Sequence, residues 1–91
     1  MLYAAKCYWP GVTEADLDRI AGRAALTTGT GTVSYLGSLL FPADNLVLFL
    51  FCGPSRAAVI QASDQLGIPT ERLMDSTWLG PHRHRPEGTR Q

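Results

Sequence analysis

Residues 46–52 read "LVLFLFC", and this run of seven apolar residues decides the fold. A strand with one buried face alternates apolar and polar residues, because successive side chains point to opposite faces of a sheet. This run does not alternate, so both of its faces need to be covered. The rest of the sequence has to supply that cover.

Turn and capping signals divide the remaining sequence into three further strands and two helices. Thr13 and Asp16 form a capping-box pattern at the start of the first helix. Gly67 and Pro69 end the second helix, and segment 42–45 reads as the turn of a hairpin. We expect strands at residues 2–9, 32–41, 46–52 and 71–79, and helices at residues 13–26 and 55–66.

This element order predicts an α+β fold of the ferredoxin-like βαββαβ class, a four-stranded antiparallel sheet with two helices on one face. Strands 2–9 and 46–52 are then the central pair, and we expect these two to run parallel to each other. One face of strand 46–52 packs against the helices. The other face carries one of two alternating sets, either Val47, Phe49 and Phe51 or Leu46, Leu48 and Leu50.

No element of the predicted fold covers that second face. A large bare apolar patch is rare on a soluble monomer. A second copy of the chain covers the patch if two sheets pack face to face about a two-fold axis. We therefore predict a homodimer of the dimeric α+β barrel type, and the alternative is a monomer with a solvated apolar sheet.

Length and charge limit the class of protein. Ninety-one residues make one domain, which we place at residues 1–80, and the polar segment 81–91 reads as a disordered tail. Residues 1–80 carry five basic and seven acidic side chains, which argues against nucleic-acid binding. We see no signal peptide and no membrane-spanning run, so we expect a cytoplasmic protein without a membrane partner.

Polar and aromatic residues on the strands are the candidates for holding a small molecule between paired sheets. Lys6 and Asp75 fall in strands that we expect to be neighbours. They read either as a pocket pair, with Lys6 as cation or acid and Asp75 as base, or as a cross-strand ion pair. The aromatic candidates suit packing at an interface equally well. The candidate ligand-binding residues are Tyr3, Lys6, Tyr8, Tyr35, Ser38, Asp75 and Trp78.

Cysteines and histidines are the candidates for metal or redox chemistry. On parallel neighbouring strands, Cys7 and Cys52 would lie close together as a redox pair, as two soft metal ligands or as two small buried side chains. His82 and His84 are separated by one residue on the tail, a spacing that suits a shared divalent metal or a solvated segment. These four residues are the candidate metal ligands.

Three stretches carry a resemblance to a known family. They are "YWPGVTEADLDRIA" at 8–21, "VSYLGSLLFPADNLVLFLF" at 33–51 and "AAVIQASDQLGIPTERLMD" at 57–75. Together they resemble a family of small actinobacterial proteins of unknown function that includes a nickel-binding, nickel-responsive member. The resemblance implies a ferredoxin-like homodimer and a divalent metal such as nickel as cofactor.

The chain differs from that family at three positions that bear on metal binding. Lys6 stands where the family often has Glu, and Phe49 stands where it often has Cys. Gly37 stands where the nickel-binding member has His. Each of these differences removes a metal ligand.

Three classes of function remain open on these residues. The first is a small homodimeric ligand-binding protein, with a pocket for an apolar or aromatic molecule at the sheet face or dimer interface. The second is a nickel or other divalent-metal binding protein, as the resemblance implies. The third is a small cofactor-free enzyme of the monooxygenase, isomerase or cyclase type, which rests on analogy with other dimeric α+β barrels. The residues do not decide between binding and catalysis, and they do not identify a ligand.

Overall fold

Four strands and two helices follow one another in the order predicted. The computed structural model describes residues 1–27 and 31–81. The strands are β1 (Leu2–Tyr8), β2 (Ser34–Phe41), β3 (Leu46–Cys52) and β4 (Arg72–Ser76), and the helices are α1 (Glu14–Thr27) and α2 (Arg56–Gln65). The ferredoxin-like βαββαβ class is confirmed.

The strands form one sheet in the order β2-β3-β1-β4, and every neighbouring pair is antiparallel. The prediction that β1 and β3 run parallel is therefore wrong. The crossover through α1 makes β1 and β2 parallel, but these two strands are not neighbours, and one strand position lies between them. The hairpin returns β3 into that space, so β3 runs against both of its neighbours.

Alternate residues of β3 have different environments, which resolves the two sets left open above. Val47, Phe49 and Phe51 are fully buried and belong to the core, where they pack with residues of both helices. The leucines that alternate with them are only partly buried. The second face of the strand is therefore the face of Leu46, Leu48 and Leu50.

Side-chain caps begin both helices. The Thr13 N–H donates to Asp16 Oδ2 at 2.9 Å, and the Asp16 N–H donates to Thr13 Oγ1 at 3.2 Å. These two bonds confirm the capping box at α1. The Ala58 N–H donates to Ser55 Oγ at 3.2 Å and caps α2. Gly67 follows α2 with φ of 73°, as expected for a glycine that ends a helix.

Strand β2 lies at one edge of the sheet and contains a β-bulge. Its pairing with β3 shifts between Tyr35 and Gly37, so Leu36 is an extra residue on the edge strand. Gly37 has φ of 139°, a conformation that favours glycine. A bulge bends its strand and redirects a side chain, and here Leu36 is 58% exposed.

Part of the sequence-based prediction concerns residues outside this description. The predicted tail at 81–91 lies outside the described residues except for Pro81, as do the candidate metal ligands His82 and His84. Within the described ranges, neither helix is long and apolar enough to cross a membrane.

Candidate functional site

The face of the sheet turned away from the helices is the candidate site, and we call it the open face. Side chains directly opposite each other on antiparallel strands point to the same side, so the register assigns each strand residue to a face. The open face consists of Leu2, Ala4, Lys6 and Tyr8 of β1, Ser34, Gly37, Leu39 and Phe41 of β2, Leu46, Leu48, Leu50 and Cys52 of β3, and Arg72, Met74 and Ser76 of β4.

Most of the open face is apolar and accessible. Leu39 is 50% exposed, Phe41 38% and Tyr8 54%. The leucines of β3 between them are partly buried, and neither of the two described helices covers this side. An apolar surface that spans the strands of one sheet face marks a site of interaction.

Two further exposed apolar residues follow the end of β4 in the chain. The strand stops at Ser76 instead of continuing to residue 79 as predicted, so Trp78 and Leu79 follow the strand. Their exposed fractions are 80% and 67%. Ser76 lies opposite Leu2, so the exposed Trp78 and Leu79 follow this end of the open face.

Lys6 and Arg72 are the charged residues of the open face, and they lie directly opposite each other on β1 and β4. Cβ atoms in such a pair are about 5 Å apart, and like charges at that distance repel. Neither side chain forms an ion pair with any residue in the described part of the chain. A pair of cations without a carboxylate therefore interrupts an otherwise apolar surface.

The predicted ligand-binding residues divide between the two faces. Lys6 and Tyr8 belong to the open face, and Trp78 follows β4. The other four belong to the helix face: Tyr3, Tyr35, Ser38 and Asp75. Tyr3 is 2% exposed and belongs to the core. The seven residues therefore do not line one pocket.

The predicted pairing of Lys6 with Asp75 is wrong. Asp75 lies opposite Tyr3, three residues along β4 from the partner of Lys6, so the two side chains point to opposite faces. Asp75 Oδ1 instead accepts a hydrogen bond from Arg56 Nη1 at 2.7 Å, and Arg56 Nη2 donates to the Leu73 carbonyl at 2.9 Å. Asp75 thus joins α2 to β4.

The predicted proximity of Cys7 and Cys52 is also wrong. Because β1 and β3 are antiparallel, Cys7 lies opposite Val47 and Cys52 lies opposite Leu2. Five residues of strand separate these positions, about 17 Å, and the two side chains point to opposite faces. Burial, and secondarily the carboxylate of Glu71, raises the pKa of the Cys7 thiol. These cysteines form neither a redox pair nor a shared metal site.

A cleft with a volume of about 510 Å³ lies between α1 and the edge strand β2. Tyr35 is the predicted ligand-binding residue that lines it, and the Tyr35 ring packs on Phe51 at a centroid distance of 5.5 Å. The other lining residues are small or aliphatic and uncharged: Ala21, Ala24, Ala25, Ser34, Leu36 and Gly37. This cleft is mostly apolar, and the hydroxyls of Ser34 and Tyr35 are its polar side-chain groups.

Metal ligands are not assembled in residues 1–27 and 31–81, where no three His, Cys, Asp or Glu side chains lie close enough to hold an ion. The predicted ligands that remain, His82 and His84, are outside the described residues.

Sequence reasoning missed Arg72 and the leucine and phenylalanine of β2, Leu39 and Phe41. The sequence did contain a signal for Arg72, because it precedes the buried Leu73 on β4 and its side chain must therefore point to the opposite face. Its position opposite Lys6 depends on the register between β1 and β4, which a single sequence does not encode in any local pattern.

Comparisons with known proteins bear on the fold. No protein-family model matches the chain, and no curated protein matches it. The crystal structure of SCO4226 from Streptomyces coelicolor A3(2) matches with a TM-score of 0.76 and 16% sequence identity, over 88% of this chain and 100% of that one. At this identity the likeness concerns the backbone arrangement. The chain therefore shares its α+β ferredoxin-like fold with that Streptomyces protein.

Proposed function

We propose that the protein is a homodimeric ligand-binding protein in which the open faces of two copies pack together around a pocket for a small apolar or aromatic molecule. The observation that supports this most directly is the apolar open face, with Leu39 and Phe41 at 50% and 38% exposure. Stacked sheets pack about 10 Å apart with interdigitating side chains. A second copy offers a surface of the required shape and polarity.

The segment after β4 adds to this proposal. Trp78 and Leu79 are highly exposed beyond the end of the sheet, where a partner sheet packed on the open face would be within reach. Aromatic side chains are enriched in the buried centres of interfaces. In a two-fold symmetric dimer, any contact that Trp78 or Leu79 makes with the second copy occurs twice, so these two side chains would have a large effect on dimer stability.

The pocket itself follows from side-chain size. Ala4 lies opposite Leu50 on one side and Met74 on the other, and Gly37 lies opposite Leu50 on its far side. Ala4 is only 6% exposed, because its larger neighbours enclose it on both sides. We place the ligand over Ala4, with Leu50 and Met74 as walls.

The interface is tested by Leu48→Glu, which puts a charge in the centre of the open face. Leu26→Glu is the matched control, since Leu26 is 85% exposed on α1 and lies away from the open face. Burying an unpaired carboxylate costs several kcal/mol, so Leu48→Glu should yield folded monomers in sedimentation velocity while Leu26→Glu stays dimeric. If both variants have the mass of the wild type, the open face is not the interface.

The two alternative functions have less support. The metal function depends on the family resemblance and on the candidate ligands Cys7, Cys52, His82 and His84. Unchanged nickel affinity in both a Cys7→Ser variant and a His82→Ala/His84→Ala variant would contradict it. The enzyme function rests on analogy with other dimeric α+β barrels, and its candidate acid and base, Lys6 and Asp75, lie on opposite faces of the sheet. The ligand-binding proposal is the one that uses the apolar open face.

A further inference from the structure

We propose that the ligand is an organic carboxylate, whose carboxylate group is bound by Lys6 and Arg72 and whose apolar body lies over Ala4 against Leu50 and Met74. The inference rests on the proposed function and adds the chemical class of the ligand. It is carried by the positions of the two cations and of the small residue beside them.

The first step concerns the charge of the open face. Other arginines of the chain are paired on the helix side, Arg19 with Asp16 and Arg56 with Asp75. Lys6 and Arg72 have no such partner in the described residues, and the open face as defined above contains no Asp or Glu. Two cations placed directly opposite each other destabilise a strand pair unless an anion lies between them.

Neighbouring carboxylates do not supply that anion. Glu71 precedes Arg72 along the chain, and its charge acts on Cys7, a residue of the helix face. Asp75 is on the helix face in its pair with Arg56. Arg72 lines a cleft together with Glu71 and Asp75, but neither carboxylate forms an ion pair with Arg72 or Lys6 in the described residues.

The second step concerns what enclosure does to these cations. Taking an unpaired charge out of water is strongly unfavourable, and a bound anion removes most of that cost. Exclusion of water also strengthens each charge-assisted hydrogen bond. Arg72 presents a planar fork that fits the two oxygens of a carboxylate, and Lys6 contributes a compact charge beside it.

The third step concerns the rest of the ligand. On β1, Ala4 is the next residue along the same face from Lys6, and its lateral neighbours are Leu50 and Met74. These side chains offer dispersion contacts and one soft sulfur, but no hydrogen-bonding group. The arrangement selects a molecule with a carboxylate at one end and a hydrocarbon or aromatic body at the other.

The test compares two probes of the same shape by isothermal titration calorimetry. Naphthalene-2-carboxylate carries the charge, and naphthalene-2-carboxamide does not. We expect the wild type to bind the carboxylate at least about tenfold more tightly than the amide, as hydrogen bonds to a charged group imply. We also expect the affinity for the carboxylate to fall as salt is added.

Variants assign that difference to the two cations. Lys6→Gln/Arg72→Gln should weaken carboxylate binding at least about tenfold and remove the preference for the carboxylate over the amide. Lys6→Arg keeps the charge and should keep most of the affinity. Arg19→Gln is the matched control, since it removes a cation on α1 that is 62% exposed on the helix side, and it should bind both probes like the wild type.

The possible results separate this inference from the proposed function. Equal binding of both probes, unaffected by the double variant, overturns the carboxylate while the ligand-binding function stands. No binding of either probe overturns both the carboxylate and the ligand pocket. If the double variant without any probe falls from dimer to monomer in sedimentation, the two cations pair with carboxylates of the second copy, which also overturns the inference.

Discussion

At the scale of single residues, Cys7 and Cys52 show how the same side chain acquires different chemistry. Cys7 is buried on the helix face, and Cys52 is exposed at the end of β3. The thiolate is the reactive form of cysteine, and burial raises the pKa of Cys7. The raised pKa leaves less thiolate at Cys7, and burial keeps reagents away from it, so both effects lower the reactivity of Cys7.

Cys52 is in the outermost row of the open face, opposite Leu2 and Ser34, so the proposed dimer leaves it at the margin of the interface. We therefore expect iodoacetamide to modify Cys52 first and to leave Cys7 unmodified until the protein unfolds. Intact mass should show one added group under native conditions and a second in denaturant, and peptide mapping should assign the first to Cys52. A Cys52→Ser variant is the control and should gain no group while folded. Modification of Cys7 at a comparable rate in the native protein would contradict the assignment of faces.

Asp16 provides a pH-dependent test of the cap on α1. The Arg19 guanidinium, followed by the N–H and hydroxyl of Thr13, holds the pKa of Asp16 below its ordinary value. A lowered pKa in the folded state means that this stabilisation is present above the ordinary pKa and is lost as pH falls through the folded value.

Asp16→Asn should therefore lower Tm at neutral pH, and the difference from the wild type should shrink as the wild-type carboxyl becomes protonated. Thermal melts followed by circular dichroism at several pH values measure this. A difference in Tm that stays constant down to strongly acidic pH would show that the charge of Asp16 plays no part.

At the scale of elements, local chemistry determined where helices and strands begin and end. The Thr13–Asp16 capping box and the glycine after α2 were readable from spacing, because each bond joins residues close in sequence. The length of β4 was not readable, since Ser76 to Leu79 has the composition of a strand but no neighbour beyond Leu2. The bulge of β2 was missed for the same reason, because it depends on pairing across strands.

The cap on α2 is an element whose contribution can be measured. Ser55→Ala removes the acceptor for the Ala58 N–H, and it should lower the free energy of unfolding by about 1 kcal/mol. Ser55→Asp keeps an acceptor and should retain most of that stability. Urea denaturation of the three proteins makes the comparison, and equal midpoints for Ser55→Ala and the wild type would rule out a cap at this position.

At the scale of the whole molecule, the fold class was predictable and the arrangement of candidate residues was not. The order of elements along the chain predicts the ferredoxin-like fold class. Which side chains lie next to each other depends on the direction and register of the strands. Assuming that β1 and β3 were parallel brought Cys7 and Cys52 together wrongly, and ignoring register paired Lys6 with Asp75 instead of Arg72. A one-residue change in register exchanges the two faces of a strand, so a site on a sheet needs the structure.

The open face also accounts for the run of apolar residues in β3. One face of "LVLFLFC" belongs to the core through Val47, Phe49 and Phe51. The other carries Leu46, Leu48 and Leu50, which no helix or strand within residues 1–27 and 31–81 covers. A small domain has a limited core of its own. Covering this second face with another copy enlarges the buried apolar surface and encloses the space in which Lys6 and Arg72 face each other.

Sedimentation equilibrium of the full chain over a range of concentrations tests this account most directly. We predict a mass of twice the 9.9 kDa of one chain. Concentration-dependent dissociation would then give the dimer affinity. A mass of one chain at every concentration would contradict the account, because the open face would then be exposed to water and no pocket would be enclosed.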